Sequence, residues 1–172
     1  MRYILPLVIM LIIWPQSDYT STQHEIQYSE TELKEQKEIG IIYDKMVSLK
    51  NVNDKNQTDL SKLSKSLYKY SKQFNIDSNI LIGMAYSESR INKYATSGSK
   101  FKCIGIFQLN ETVHNLDNSL KYDEDYQTLK ACEILSYTMN KHKGNITLAL
   151  NAYNGWASYN NKYANKVLNV LK

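Results

Sequence analysis

Glu88 closes an apolar stretch of the chain. Leu81, Met84, Ala85 and Glu88 recur at steps of three and four, which sets all four on one face of a helix. A carboxyl group at the end of such a face meets two influences. Burial against apolar neighbours penalises its charged form, and the negative end of the helix dipole does the same. A carboxyl that keeps its proton near neutral pH is what a general acid needs. The same position also suits a solvated glutamate at a helix end, so the residues around it have to decide.

Those residues fall into three segments. Glu88-Ser89-Arg90 is followed by Ala95 and Ser97, and then by Gly105-Ile106-Phe107-Gln108-Leu109-Asn110. Much later comes Ala149-Leu150-Asn151-Ala152-Tyr153-Asn154-Gly155. Gln108 stands 20 residues beyond Glu88, and Tyr153 stands 65 beyond it. In order and spacing the three segments resemble the lytic transglycosylases related to goose-type lysozyme. That family ends a buried helix with Glu-Ser. It carries a Gly-Leu-Met-Gln-like segment about twenty residues on, and an Ala-Tyr-Asn segment some sixty-five residues after the Glu. The resemblance covers about residues 65–172, and Tyr163-Ala164-Asn165-Lys166-Val167 looks like the family's last helix.

The resemblance implies an all-α, lysozyme-like helical domain with an active-site cleft. It implies peptidoglycan glycan strands as the substrate and no cofactor. Residue by residue, Glu88 matches the catalytic acid/base. Ser97 matches a serine lining the sugar site, and Gln108 matches the glutamine beside the scissile bond. Asn110 matches a groove-lining position, and Tyr153 and Asn154 match the pair that contacts substrate near the glutamate. Each has a plainer reading: Ser97 as a loop cap, Gln108 as a surface amide, Asn110 as a turn cap, Tyr153 as a core aromatic and Asn154 as a helix C-cap. The form Ile104-Gly105-Ile106-Phe107-Gln108-Leu109-Asn110 is most similar to small specialised members that open gaps in the wall for secretion or pilus-type machines. That implies such a machine as a partner. Lys102-Cys103 stands where the family has Gly-Ala, Phe107 where Met is common, and Gly155-Trp156 where Ala-Gly is expected. The stretch from Ser97 to Gln108 is also about two residues longer. These departures bear on loop shape and subsite contacts.

Most glycosidases use two carboxylates. The resemblance supplies one, which suffices when the substrate's own acetamido group assists. Glu111, Asp117, Asp123, Glu124 and Asp125 are candidates for a second, and as a polar stretch they read first as solvated charges. Two rivals follow: a true hydrolase of the lysozyme or endolysin kind, and a non-catalytic wall-binding assembly protein. A scaffold alone has no need of Glu88, Gln108, Tyr153 and Asn154 together.

The elements that must hold these residues are helical. The chain has 172 residues, of which 42% are hydrophobic and 22% charged, with 2 Pro and 6 Gly. That is an ordinary globular composition and excludes collagen-like and linker-type chains. Leu60, Leu63, Leu67, Tyr70 and Phe74 form a helical stripe with Thr58 or Asp59 as its cap. Asp77 caps a second helix, Ser78 to about Ser89. Residues 90–112 read as loop and Thr112 to Asp123 as polar connection. Leu129, Cys132, Leu135 and Met139 mark the next helix, which ends near Lys143-Gly144. Asn145 caps another through Tyr153, and Tyr159, Tyr163, Val167 and Val170 mark the last. No βαβ alternation and no repeat appear. The domain is expected over residues 58–172.

Before it, Arg2 and the apolar run Tyr3 to Trp14 read as a signal peptide over residues 1–17, or as an uncleaved anchor that would be the chain's only membrane attachment. The run is too short to span a bilayer comfortably. Either reading exports the protein to the periplasm or cell envelope. Residues 18–57 are expected to be a linker with a helix over 31–50, which is either a spacer or docking helix or an extra helix packed on the domain. Cys103 and Cys132 are either a disulfide of an exported protein or two small buried side chains. The histidines and cysteines lack metal-ligand spacing, and there is no phosphate-cradling glycine loop. The net charge of +4 fits either solubility or an anionic wall. Lysines are interspersed with acids in no basic stripe, which argues against nucleic acid as a partner.

Overall fold

The computed structural model describes residues 29–49, 58–98, 102–155 and 161–172. The N-terminal run read as signal peptide or anchor lies outside them, as do residues 18–28 and 50–57 of the linker, Trp156 and Tyr159. Six helices and a small sheet make up the described residues: α1 (Glu30–Ser48), α2 (Leu60–Phe74), α3 (Ser78–Ser89), β1 (Thr96–Ser97), β2 (Cys103–Ile104), β3 (Leu109–Asn110), α4 (Glu124–Lys141), α5 (Ile146–Tyr153) and α6 (Lys162–Leu168). The chain is mainly α, as expected from its periodicity and its resemblance.

Most helix starts are written locally. Ser29 and Glu32 form a capping box at α1, and the side chains of Asp59, Asp77, Asp123 and Asn145 accept backbone N–H groups at the starts of α2, α3, α4 and α5. Thr58, the other candidate cap for α2, has a different task. Its hydroxyl donates to the Ile91 carbonyl at 2.6 Å and accepts from the Lys93 N–H at 3.0 Å. It thereby ties the start of α2 to the turn that follows α3.

That turn is unusual. Arg90 and Ile91 both adopt positive φ, 57° and 60°, which costs a non-glycine residue about 1–2 kcal/mol. Ile91 is fully buried, so packing offsets part of that cost. The result is a sharp change of direction just beyond Glu88.

Helix α3 is the central element. Leu81, Ile82, Met84 and Ala85 have no exposed surface. Gly83 lets α6 approach closely: a Cβ there would collide with the Val167 carbonyl. The expected stripe on α2 buries Leu63, Leu67 and Tyr70 in the same core. Ile42 and Met46 of α1 join it too, so α1 packs on the domain rather than standing off from it. Helix α4 is tied to α2 through Asp125, which accepts from the Tyr70 hydroxyl at 2.8 Å and from Ser66 at 2.9 Å. Glu124, only 2% exposed, bridges Lys93 at 3.0 Å and Lys62 at 3.6 Å.

The region expected to be loop contains an antiparallel sheet in the order β1-β2-β3. Its strands have two residues each, with Ser97 opposite Cys103 and Cys103 opposite Asn110. Two residues are too few to leave an alternating pattern in a sequence.

Candidate active site

A cleft of about 780 Å³ opens between the end of α3, the sheet, and helices α4 and α5. All six residues singled out in the sequence line it: Glu88, Ser97, Gln108, Asn110, Tyr153 and Asn154. They come from four separate elements and the loop ends between them.

Glu88 lies at the last turn of α3. Burial pushes its carboxyl above the usual glutamate range, while the Tyr163 hydroxyl and the charge of Lys166 pull it partly back. The Tyr163 hydroxyl is itself buried beside Glu88, without a hydrogen bond of ordinary geometry. Burial also raises the Tyr153 and Tyr163 phenols and the Cys103 thiol, and in each case the nearby Glu88 adds to the effect. The Tyr153, Tyr163 and Cys103 groups thus stay neutral beside the carboxyl, and the charge that acts on it comes from Lys166.

Ser89 explains why serine follows the glutamate. Its hydroxyl lies 2.8 Å from the Ile106 carbonyl and accepts from the Asn92 N–H at 3.0 Å, which joins the end of α3 to the turn between β2 and β3. Tyr153 holds the same turn from α5, donating to the Phe107 carbonyl at 3.1 Å. Phe107, where a methionine is common, is fully buried and anchors it.

Gln108 sits at positive φ, 49°, at the end of this turn. Its amide donates to the carbonyls of Ala95 and Gly105, both at 3.1 Å, and accepts from the Ser97 hydroxyl. Both amide protons are therefore used within the protein, and one acceptor lone pair remains to face the cleft. Gln108 shapes the wall at least as much as it offers a contact. Asn110 accepts from the N–H groups of Thr112 and Val113 at 3.1 and 2.9 Å, so the turn-cap reading applies to it as well. Asn154 is both the C-cap of α5 and an exposed residue of the cleft.

Sequence reasoning missed three participants. Gln127 of α4 is fully buried beneath the turn, accepting from the Phe107 N–H at 3.4 Å and donating to the Lys121 carbonyl at 2.5 Å. Tyr163 and Lys166 of α6 act on Glu88. All three have helical spacing that reads as core or solvated face, and only the fold brings them to the site.

The cysteines are free thiols, so the bridge between Cys103 and Cys132 is not formed. Cys132 is a fully buried core side chain of α4, its thiol pushed up to about 12 by burial, whereas Cys103 lines the cleft. The five candidates for a second carboxylate all face elsewhere. Glu111 pairs with Lys121 and Lys102 at 2.6 and 3.3 Å, and Asp117 caps its own turn at Ser119. Asp123, Glu124 and Asp125 serve the junction of α4 with α2. Among the described residues, the other carboxyl lining the cleft is Glu133, which pairs with Lys130 at 2.8 Å. Among these residues no cluster of acids, histidines and cysteines is suited to a metal ion.

Residues 65–170 match the family model described as the transglycosylase SLT domain. No curated protein and no solved structure matches the chain.

Proposed function

The chain belongs to the transglycosylase SLT domain family, and on that premise we propose that Glu88 cleaves the β-1,4 bond between N-acetylmuramic acid and N-acetylglucosamine, acting first as acid and then as base. Family membership carries the coarser statement, a lytic transglycosylase acting on peptidoglycan. The observation that supports the finer one is the place of Glu88 in the cleft, half-buried, with its carboxyl raised above the usual range and the Tyr153 phenol and Cys103 thiol neutral beside it.

In the first step Glu88 gives its proton to the glycosidic oxygen, and the bond from that oxygen to C1 breaks. The carbonyl oxygen of the sugar's 2-acetamido group covers the developing cation at C1. In the second step the Glu88 carboxylate removes the proton from the C6 hydroxyl, whose oxygen bonds to C1. The product is 1,6-anhydro-N-acetylmuramic acid, no water is consumed, and Glu88 ends protonated. Tyr153 and Asn154 orient the acetamido group, and Ser97, Gln108 and Asn110 line the path of the strand. None of Glu111, Asp117, Asp123, Glu124 and Asp125 lines the cleft, and Glu133, which does, is paired with Lys130, which favours assistance by the substrate over a second carboxylate.

The substrate lies outside the cytoplasmic membrane. The reading therefore includes export through the apolar run of residues 3–14, in keeping with its form.

Glu88→Gln tests the assignment. The amide keeps the shape of the side chain but has no proton to give, so turnover should fall about 100- to 10,000-fold while binding to purified wall is kept. Turnover within a few-fold of wild type would remove Glu88 from the mechanism.

A further inference from the structure

The seam between α3 and α6 carries a role for a residue that the acid/base assignment does not use. Three contacts define it, and their order shows the two helices running antiparallel. Gly83 admits the Val167 carbonyl, the Lys166 ammonium donates to the Ser87 carbonyl at 2.5 Å, and the Tyr163 hydroxyl lies beside Glu88.

The Ser87 carbonyl belongs to the last turn of α3, where carbonyls have no partner within the helix. Its neighbours are satisfied by the chain itself. The Ala85 carbonyl accepts from the Ile91 N–H at 3.2 Å and the Tyr86 carbonyl from the Arg90 N–H at 3.0 Å. Lys166 thus supplies from another helix what the backbone does not supply at the residue just before Glu88. A cation at a helix C-terminus is favourable in its own right.

We propose that Lys166 is a positioning residue for this reaction: it fixes the turn that carries Glu88 by capping the Ser87 carbonyl, and it places a positive charge where the glutamate becomes an anion. The proposal rests on the reading of Glu88 as acid and then base. A buried carboxyl readily keeps its proton, so the costly moment is the carboxylate formed once the glycosidic oxygen has been protonated. Burial alone would make Glu88 a poor acid by holding the proton too firmly.

The titratable groups facing Glu88 are Tyr163 and Lys166 from α6, Tyr153 from α5 and Cys103 from β2. The two phenols and the thiol are neutral, their ionisation opposed by burial. Arg90, two residues on, lies over the Tyr86 ring at 4.2 Å. No ion pair within 4 Å joins Lys166 to Glu88 among the described residues, so its charge acts at longer range and its hydrogen bond acts through the helix end.

The test is a carbon-13 NMR titration of the Glu88 carboxyl, assigned by its absence in Glu88→Gln, in wild type, Lys166→Met and Lys166→Arg. The titration midpoint should move to higher pH in Lys166→Met and return toward the wild-type value in Lys166→Arg. The alkaline limb of kcat/KM against pH, where the required acid is lost, should move in the same direction. An unmoved midpoint would overturn the proposal, even with activity lost, because it would leave Lys166 only a structural role. A shifted midpoint in a protein that cleaves no wall would uphold the placement of Lys166 and overturn the transglycosylase reading instead.

Discussion

Burying a carboxyl group is unfavourable when it ionises, and at Glu88 this bears on stability as well as on the proposed chemistry. The folded protein holds its proton above the pH, near 4.5, at which an unfolded glutamate releases it. Below that value the group is protonated in both states and leaves stability unchanged. As pH rises toward and through the folded-state value, the unfolded chain ionises first and stability is lost. Glu88→Gln removes the titration. The variant should match wild type in chemical denaturation below about pH 4 and exceed it at pH 7. A stability difference from wild type that is the same at both pH values would mean that the carboxyl ionises as freely in the folded chain as in the unfolded one. Much at this scale was legible beforehand. The spacing from Glu88 to Gln108 and Tyr153 found residues that share one cleft, though nothing in a spacing states what a side chain touches. Gln108 spends both amide protons on carbonyls of its own wall. Tyr153, matched to a substrate contact, is tethered to the Phe107 carbonyl, whereas Tyr163, legible only as part of the last helix, lies beside Glu88.

The elements that position the site divide into those the sequence announces and one that it conceals. The helices announce themselves by periodicity and caps. Asp59, Asp77 and Asn145 each cap the helix expected of them, and Asp123 does so at the edge of a stretch read only as polar connection. The sheet is concealed because its strands are two residues long and held by distant side chains. Its turn depends on Gly105, at φ 76°, where a Cβ would stand 2.5 Å from the Gln127 side chain. Gly105→Ala therefore meets both backbone strain and a clash in a fully buried place. It should cost about 1–3 kcal/mol in denaturant unfolding. It should also lower turnover beyond what that loss of fold explains, because Gln108 and Phe107 share the turn. Wild-type stability and activity in this variant would show that Gln127 yields and that the turn is not set by the glycine.

Across the whole molecule, one cleft is assembled from residues between Glu88 and Gly155, and its base is the core into which α1 also inserts Ile42 and Met46. The sequence leaves α1 open between a spacer and a helix packed on the domain, because its stripe is short and surrounded by charge. Burial of Met46, fully enclosed, depends on partners in α2 and α3 that no local pattern reveals. What the assembled cleft does is decided by its product. Purified peptidoglycan should be treated with the protein beside its Glu88→Gln variant, and the released muropeptides weighed by mass spectrometry. The account predicts anhydro-muropeptides from the wild type alone. Reducing-end products, each heavier by one water, would contradict it and make the protein a hydrolase.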